Sequence, residues 1–254
     1  MRLALAFILA LPAFSQHVNF VACPVVRDTK TVPCFLADYN GETYFLGIQQ
    51  DITADFYPPQ LLHEALIEGE VAPGPRVCGG IPLKPLHVSV LPEVNRACNT
   101  ILPAEPGIEA PPAKRPAGPS TRLAPVSTAQ QPPQKPQPPF VARDFTIHYD
   151  FDSDFLFARD TRRLTDIAEY ARVSGAKVIE ITGYRTATLL TDGSTLTEKA
   201  GVSRLRAERV AEVLKGLGTP ASDVHWIPEA ASTNGFEDRR VVVHVAPGSE
   251  SAHQ

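Results

Sequence analysis

Apolar residues recur along this chain with two different periods, and the stretches where neither holds divide it into parts. Between residues 145 and 245 the pattern is regular. Phe145–Phe151 (FTIHYDF) alternates like a strand with one covered face. Leu164, Ile167, Ala168 and Ala171 then fall at i, i+3, i+4 and i+7, the apolar stripe of a helix starting near Asp160 or Thr161. Lys177–Gly183 (KVIEITG) predicts a second strand. Val202, Leu205, Val210, Val213, Leu214 and Leu217 predict a second helix, closed by Gly218 at a C-cap position. Val224–Ile227 and Arg239–Val245 predict two more strands. A β-α-β-α-β-β order is the signature of an α+β sandwich, one sheet with two helices on a face.

Before residue 103 the period is that of strands. Pro33–Tyr39 and Thr43–Gln50 flank Asn40-Gly41, a hairpin signal because both turn residues need positive φ. Leu66–Val71 and Leu86–Leu91 are further short β runs, with Pro73-Gly74-Pro75 marking a turn between them. Tyr57-Pro58-Pro59, Pro82 and Pro85 act as further punctuation. A small, mostly-β antiparallel barrel or sandwich fits, and an OB-like barrel is one such arrangement. Residues 103–139 then hold twelve of the 25 prolines and almost no large apolar residue. Such a run cannot bury a core and predicts a proline-rich linker, spanning about 110 Å if fully extended. A spacer of that reach implies that its two ends work at separate places. The predicted parts are a mostly-β domain at 16–102, a linker at 103–140, an α+β domain at 141–246 and a disordered tail at 247–254.

The 254 residues carry a formal net charge of −4, and no segment has a marked excess of Lys and Arg, so nucleic acid is not an expected partner. Met1–Gln16 sets the compartment. Arg2 precedes an apolar run from Leu3 to Leu11, Pro12 breaks it, and Ala13-Phe14-Ser15 supplies small residues before a cleavage point. This predicts a secretory signal peptide at 1–15. Phe20-Val21-Ala22-Cys23 faintly resembles a lipobox, but His17 and Asn19 interrupt its apolar run. No later stretch reaches 18 consecutive apolar residues, so no transmembrane segment is expected in the mature chain. Cys23, Cys34, Cys78 and Cys98 all lie in the first hundred residues, and an even count in an exported chain predicts disulfides. Of the three pairings, Cys23–Cys34 with Cys78–Cys98 closes two short loops and is the expected one, each bridge worth about 3 kcal/mol. There is no Cys-x-x-Cys, and His63 and His87 stand at no regular spacing to the cysteines, so no metal site is expected.

Four runs carry a family resemblance. They are Phe-Asp-Ser at 151–153, Ile-Thr-Gly at 181–183, Val-Ser-x-x-Arg-Ala-x-x-Val-x-x-x-Leu-x-x-x-Gly from Val202 to Gly218, and Asp-Arg-Arg-Val at 238–241. Together they resemble the OmpA-like C-terminal domain family over Ala142–Ala246, about two fifths of the chain. The resemblance implies non-covalent binding of peptidoglycan through the diaminopimelate of its stem peptide. In that family an aspartate of a Gly-His-Thr-Asp run takes the ligand's ammonium, and the arginine of the Arg-Ala pair takes a carboxylate, a task suited to the guanidinium fork. Arg206 is the matching arginine. The aspartate is missing, because this chain reads Gly183-Tyr184-Arg185-Thr186, with Thr186 at its place. The following loop is longer than the family's, and its Asp192 lies 14 residues before Arg206. Either Asp192 returns a carboxylate to the ammonium, or the site is remodelled or lost. Arg239 and Arg240 are expected to support the site from the neighbouring strand, since the family has both arginines. The bland alternative for Arg206 is a helix-surface salt bridge to a nearby Glu.

Other constellations are thin. Asp150, Asp152 and Asp154 mimic the start of a calcium loop, but Phe155 occupies the glycine position. His63-Glu64 lacks the second histidine of a zinc protease, and no nucleophile elbow or phosphate-cradling glycine loop is present. No enzyme activity and no cofactor are expected. The leading expectation is a periplasmic, cell-wall- or outer-membrane-associated protein of a Gram-negative envelope, with the N-terminal domain contacting another envelope component. One alternative is an envelope scaffold whose remodelled C-terminal domain binds a protein partner. Another is a wall-modifying enzyme with its site in the N-terminal domain.

Overall fold

A computed structural model describes residues 16–49, 59–112, 138–230 and 232–248. The expected signal peptide at 1–15, Tyr57-Pro58, residues 113–137 and the end of the tail lie outside these.

The N-terminal half is built from β1 (His17–Ala22), β2 (Pro24–Arg27), β3 (Cys34–Tyr39), β4 (Glu42–Ile48), β5 (His63–Val71), β6 (Ile81–Val94) and β7 (Thr100–Leu102). They form one sheet in the order β1-β5-β6-β4-β3-β2-β7, antiparallel except for the pairs β4–β6 and β2–β7. The hairpin at Asn40-Gly41 forms as read, both residues having positive φ. The sheet curls so that Phe20 of β1 stacks on Tyr39 of β3, ring centroids 4.5 Å apart. Val18, Phe35, Leu46, Ile67 and Val88 fill the space beneath. Seven strands in this order are not the five of an OB fold, and the OB-like expectation finds no support. Strand β6 runs through Pro82 and Pro85, which the sequence reads as punctuation. The reason is a change of partner: β6 lies against β4 at Ile81 and Pro82 and against β5 from Leu83 onward, with its register shifting there. Prolines are tolerated where a ladder is already irregular.

The expected local disulfides are replaced by long-range ones, Cys23–Cys98 and Cys34–Cys78. Cys23 sits between β1 and β2, and Cys98 precedes β7, which pairs with β2; the sheet order therefore brings these two together. Cys34 and Cys78 share a second small core with Val25, Leu36 and Ile48. Ile108 and Ala110, from the start of the expected linker, pack on that core too.

The C-terminal half has β8 (Arg143–His148), α1 (Ala158–Val173), β9 (Val178–Arg185), β10 (Ala187–Leu189), β11 (Thr195–Thr197), α2 (Val202–Gly216), β12 (Ala221–Ala230), a 3-10 turn (Gly235–Asp238) and β13 (Arg240–Val245). This is the expected α+β order, and the main sheet runs β12-β9-β13-β8. Ile147, Ile179, Ile181, Val241, Val243 and Val245 turn one face of it toward Leu164, Ile167, Ala171, Ala207, Val210 and Leu214 of the two helices. The small hairpin β10–β11 is an addition, built from the long loop after β9.

The two halves pack against each other, contrary to the expectation that they work at separate places. Residues 87 and 89 of β6 and 68 of β5 face away from the N-terminal core and meet the C-terminal half. Ser89 Oγ accepts the Phe151 N–H at 2.9 Å, and Glu68 pairs with Arg239. Asn19 and Thr191 exchange two bonds, Thr191 N–H to Asn19 O at 2.7 Å and Asn19 N–H to Thr191 Oγ1 at 2.8 Å. Among the described residues no helix is long and apolar enough to cross a membrane.

Two outcomes follow. Non-reducing peptide mapping should recover the pairs Cys23/Cys98 and Cys34/Cys78. These loops span 75 and 44 residues, and each bridge contributes about 4 kcal/mol on the chain-entropy model. Trypsin should cut at Lys114 or Arg122, and the two fragments should still co-elute on size exclusion, whereas Glu68→Ala should let them separate.

Candidate functional site

Arg206 lies on the buried stripe of α2, formed by Val202, Ser203, Arg206, Ala207, Val210 and Leu214. The stripe carries it inward, against β9. Gly183 permits the approach, because a Cβ there would lie 2.1 Å from the Ser203 carbonyl oxygen. Arg206 is 0% exposed. A guanidinium without water needs an acceptor for each N–H, and Arg206 finds them all. Its Nε donates to Ser153 O at 2.8 Å, one terminal nitrogen to Tyr184 O at 3.0 Å and Glu198 Oε2 at 3.1 Å, and the other to Asp150 O at 3.0 Å and Glu198 Oε1 at 2.5 Å. The ring of Tyr149 lies beneath it at 5.0 Å.

The residues that the resemblance points to thus converge. The carbonyl just before Phe-Asp-Ser and that of its serine, the carbonyl after Gly183 and the arginine of the Arg-Ala pair meet at one point. The carboxylate they hold is Glu198, eight residues before Arg206 and itself 1% exposed. Besides the guanidinium it accepts the backbone N–H groups of Thr186 at 2.9 Å and Asp152 at 3.0 Å. Four N–H donors from three segments therefore form a carboxylate cradle, and Glu198 fills it.

The other expected site residues have different placements. Asp192 stays at the exposed tip of the β10–β11 hairpin and accepts both the N–H and the hydroxyl of Ser194, at 2.8 and 2.7 Å. Those bonds hold its carboxyl below the usual range. Its engagement is with the turn, and Glu198 is the acid that the longer loop delivers to Arg206. Thr186 is buried, its backbone in the cradle and its hydroxyl donating to Ser232 O at 2.7 Å. Arg240 is partly exposed, pairs with Asp238 and covers the ring of Tyr184 at 5.4 Å. Its link to the cradle is indirect, from Asp238 through Ser232 to Thr186. The surface salt bridge considered for Arg206 is a buried pair instead.

Arg239 makes a second buried pair that the sequence left unread. It is 0% exposed and meets Glu68, 5% exposed, with both terminal nitrogens; Thr188 and the Phe236 N–H complete the cluster at 3.1 Å each. One signal was available. Glu68 interrupts Ala65-Leu66-Ile67, a strand segment buried on both faces, where an acid needs a partner. The aspartates of the calcium-like run do not gather as a ligand set among the described residues. Asp152 accepts the Lys199 N–H at 2.6 Å, and Asp154 faces Arg209 at 3.7 Å. Cys23, Glu64 and Cys98 do lie together, but both sulfurs are spent in the disulfide.

No family model matches the chain, and no curated protein matches it. Among solved structures, the OmpA-like domain of FopA1 from Francisella tularensis subsp. tularensis SCHU S4 is similar at 15% identity with a TM-score of 0.32, covering 42% of this chain and 73% of that one. A MotB-like protein from Desulfovibrio vulgaris is similar at 14% identity and a TM-score of 0.32, over 42% of this chain and 76% of that one.

Asp150 gives the site a pH dependence. Burial pushes its carboxyl up to about 6, against the opposing pull of Arg239 and Arg159. The folded protein thus keeps a proton that the unfolded chain releases near 3.8, and stability falls as pH rises from about 4 to 6, then stays at the lower level. Asp150→Asn should raise the unfolding free energy at pH 7.5 by about 1–3 kcal/mol, and at pH 4 it should give no gain. Denaturant titrations at the two pH values check this.

Proposed function

We propose that the chain is an exported cell-envelope protein that associates with peptidoglycan through its OmpA-like C-terminal domain, and that Glu198 closes its carboxylate grip at rest. The observation that carries this reading is the four-donor cradle around Arg206. The motif runs that resemble the family assemble a receptor for a carboxylate at the place where the family holds one of its ligand. A stem-peptide carboxylate could take the same four N–H groups once Glu198 leaves. The acidic partner for a ligand ammonium at the Thr186 position is gone, so this grip is the weaker for it. Export rests on Met1–Gln16, and the four cysteines suit an oxidising compartment.

A second reading takes the closed cradle as permanent. The domain then serves as a scaffold that holds a protein partner, and the buried contact of Glu68 with Arg239 favours it, because a folded domain already covers that end.

Sedimentation of purified residues 16–254 with isolated sacculi separates the two. On the first reading the parent pellets weakly, and Glu198→Gln, which removes the charge while keeping the shape, raises the pelleted fraction several-fold. Arg206→Lys, which keeps the charge but loses the fork, lowers binding about tenfold or more. Absence of pelleting in the parent and in Glu198→Gln, with both folded by circular dichroism, assigns the scaffold role.

A further inference from the structure

A cavity of about 490 Å³ opens along the seam between the two halves, and Arg206 does not line it. Three cations come from α1. Residues 159, 162, 163 and 166 stand at i, i+3, i+4 and i+7, one face of that helix, and it turns Arg159, Arg162 and Arg163 to the cavity. His87 of β6, His148 at the end of β8 and Phe236 of the 3-10 turn supply the remaining wall. The wall is fixed. The ring of Phe236 lies between the two imidazoles, its centroid 3.4 Å from that of His87 and 5.1 Å from that of His148, nearly parallel to both.

The charges in the cavity do not cancel. Asp160 is committed to the start of α1, accepting the Phe157 N–H at 2.9 Å, and it faces Arg159 at 3.8 Å. Asp166 borders the same space, yet neither Arg162 nor Arg163 makes an ion pair among the described residues, and both are exposed. Burial lowers the pKa of His148, so near neutral pH it enters as a neutral ring. Arg159 is engaged by Asp160 and acts on Asp150, and Glu237 acts on His148. The positive charge left without an ion pair among the described residues is therefore that of Arg162 and Arg163, on groups whose forks suit oxyanions.

We propose that this cavity binds a phosphate-class anion, an assignment independent of the wall-binding reading. A tetrahedral phosphoryl group presents acceptors to several sides at once, as the guanidiniums spaced along one face of α1 require. A planar carboxylate presents only two. The space is larger than one phosphate ion, so the group belongs to a bigger molecule, either a soluble phosphorylated compound or a phosphorylated lipid headgroup.

The test uses purified residues 16–254 with inorganic pyrophosphate, titrated calorimetrically at constant ionic strength set by chloride. Saturable binding is expected, weakened about tenfold or more by the double substitution Arg162→Gln/Arg163→Gln. Both side chains are exposed, so the fold should persist, and the circular dichroism spectrum checks it. Flotation with vesicles containing phosphatidic acid, lost in the double variant, would assign the headgroup; pyrophosphate binding without flotation would assign a soluble ligand. The proposal is overturned if neither probe binds, if the double variant binds as the parent does, or if citrate binds and pyrophosphate does not.

Discussion

A guanidinium taken wholly out of water must find an acceptor for every N–H, and the C-terminal domain is arranged around that condition at Arg206. Three of its acceptors are backbone carbonyls, so the Asp150–Ser153 turn after β8 and the end of β9 are held in position by one side chain. The remaining two bonds need an anion. Removing one partner from a buried pair of this kind costs about 3–5 kcal/mol, because the survivor keeps its charge and loses its compensation. Glu198 is thus a structural requirement of the resting molecule as well as the occupant of its cradle.

The same condition recurs at Arg239, with a different consequence. Its carboxylate comes from β5, in the other half of the chain. Ala65 and Ile67 of that strand face the N-terminal core, and Glu68, on the opposite face, reaches across. The sheet thereby covers the end of the C-terminal domain, and the mostly-β half acts as a lid on it. A long proline-rich segment need not keep two domains apart when a buried ion pair and a satisfied Ser89–Phe151 bond hold them together.

What the sequence disclosed follows from how far each determinant reaches. The helices and sheet of the C-terminal half were legible because each has one covered face, and period and partner agree. Arg206 drew attention through its motif, and its burial follows from its place on the Val202–Leu214 stripe, which the surface salt bridge considered for it overlooked. The disulfides were not legible, because spacing says nothing about a sheet order that puts β7 beside β2. Strand β6 was cut short at prolines that the change of strand partner accommodates. Glu68 and Glu198 went unread because their roles depend on arginines 171 and 8 positions away, one across a domain seam and the other across a loop of new length. Asp192 attracted attention by spacing alone, but a carboxylate two residues before a serine in a tight turn has a local acceptor role, and it takes that one.

The long loop after β9 joins these observations. Thr188 binds Glu68, and Thr191 pairs with Asn19, so the β10 end of the insertion is fastened to the N-terminal half. Glu198, a few residues further on, is fastened into the cradle, and Arg185, just before the insertion, grips the Glu198 carbonyl oxygen. One segment therefore carries both the contact between the halves and the group that fills Arg206. Any ligand that displaced Glu198 would have to move a segment tied at its other end to the N-terminal domain. By linkage, whatever loosens that tie lowers the cost of vacating the cradle, and whatever vacates the cradle weakens the tie. This loop thus joins the Glu68–Arg239 pair and the Ser89–Phe151 bond in holding the two halves together, and it alone also reaches the Arg206 cradle.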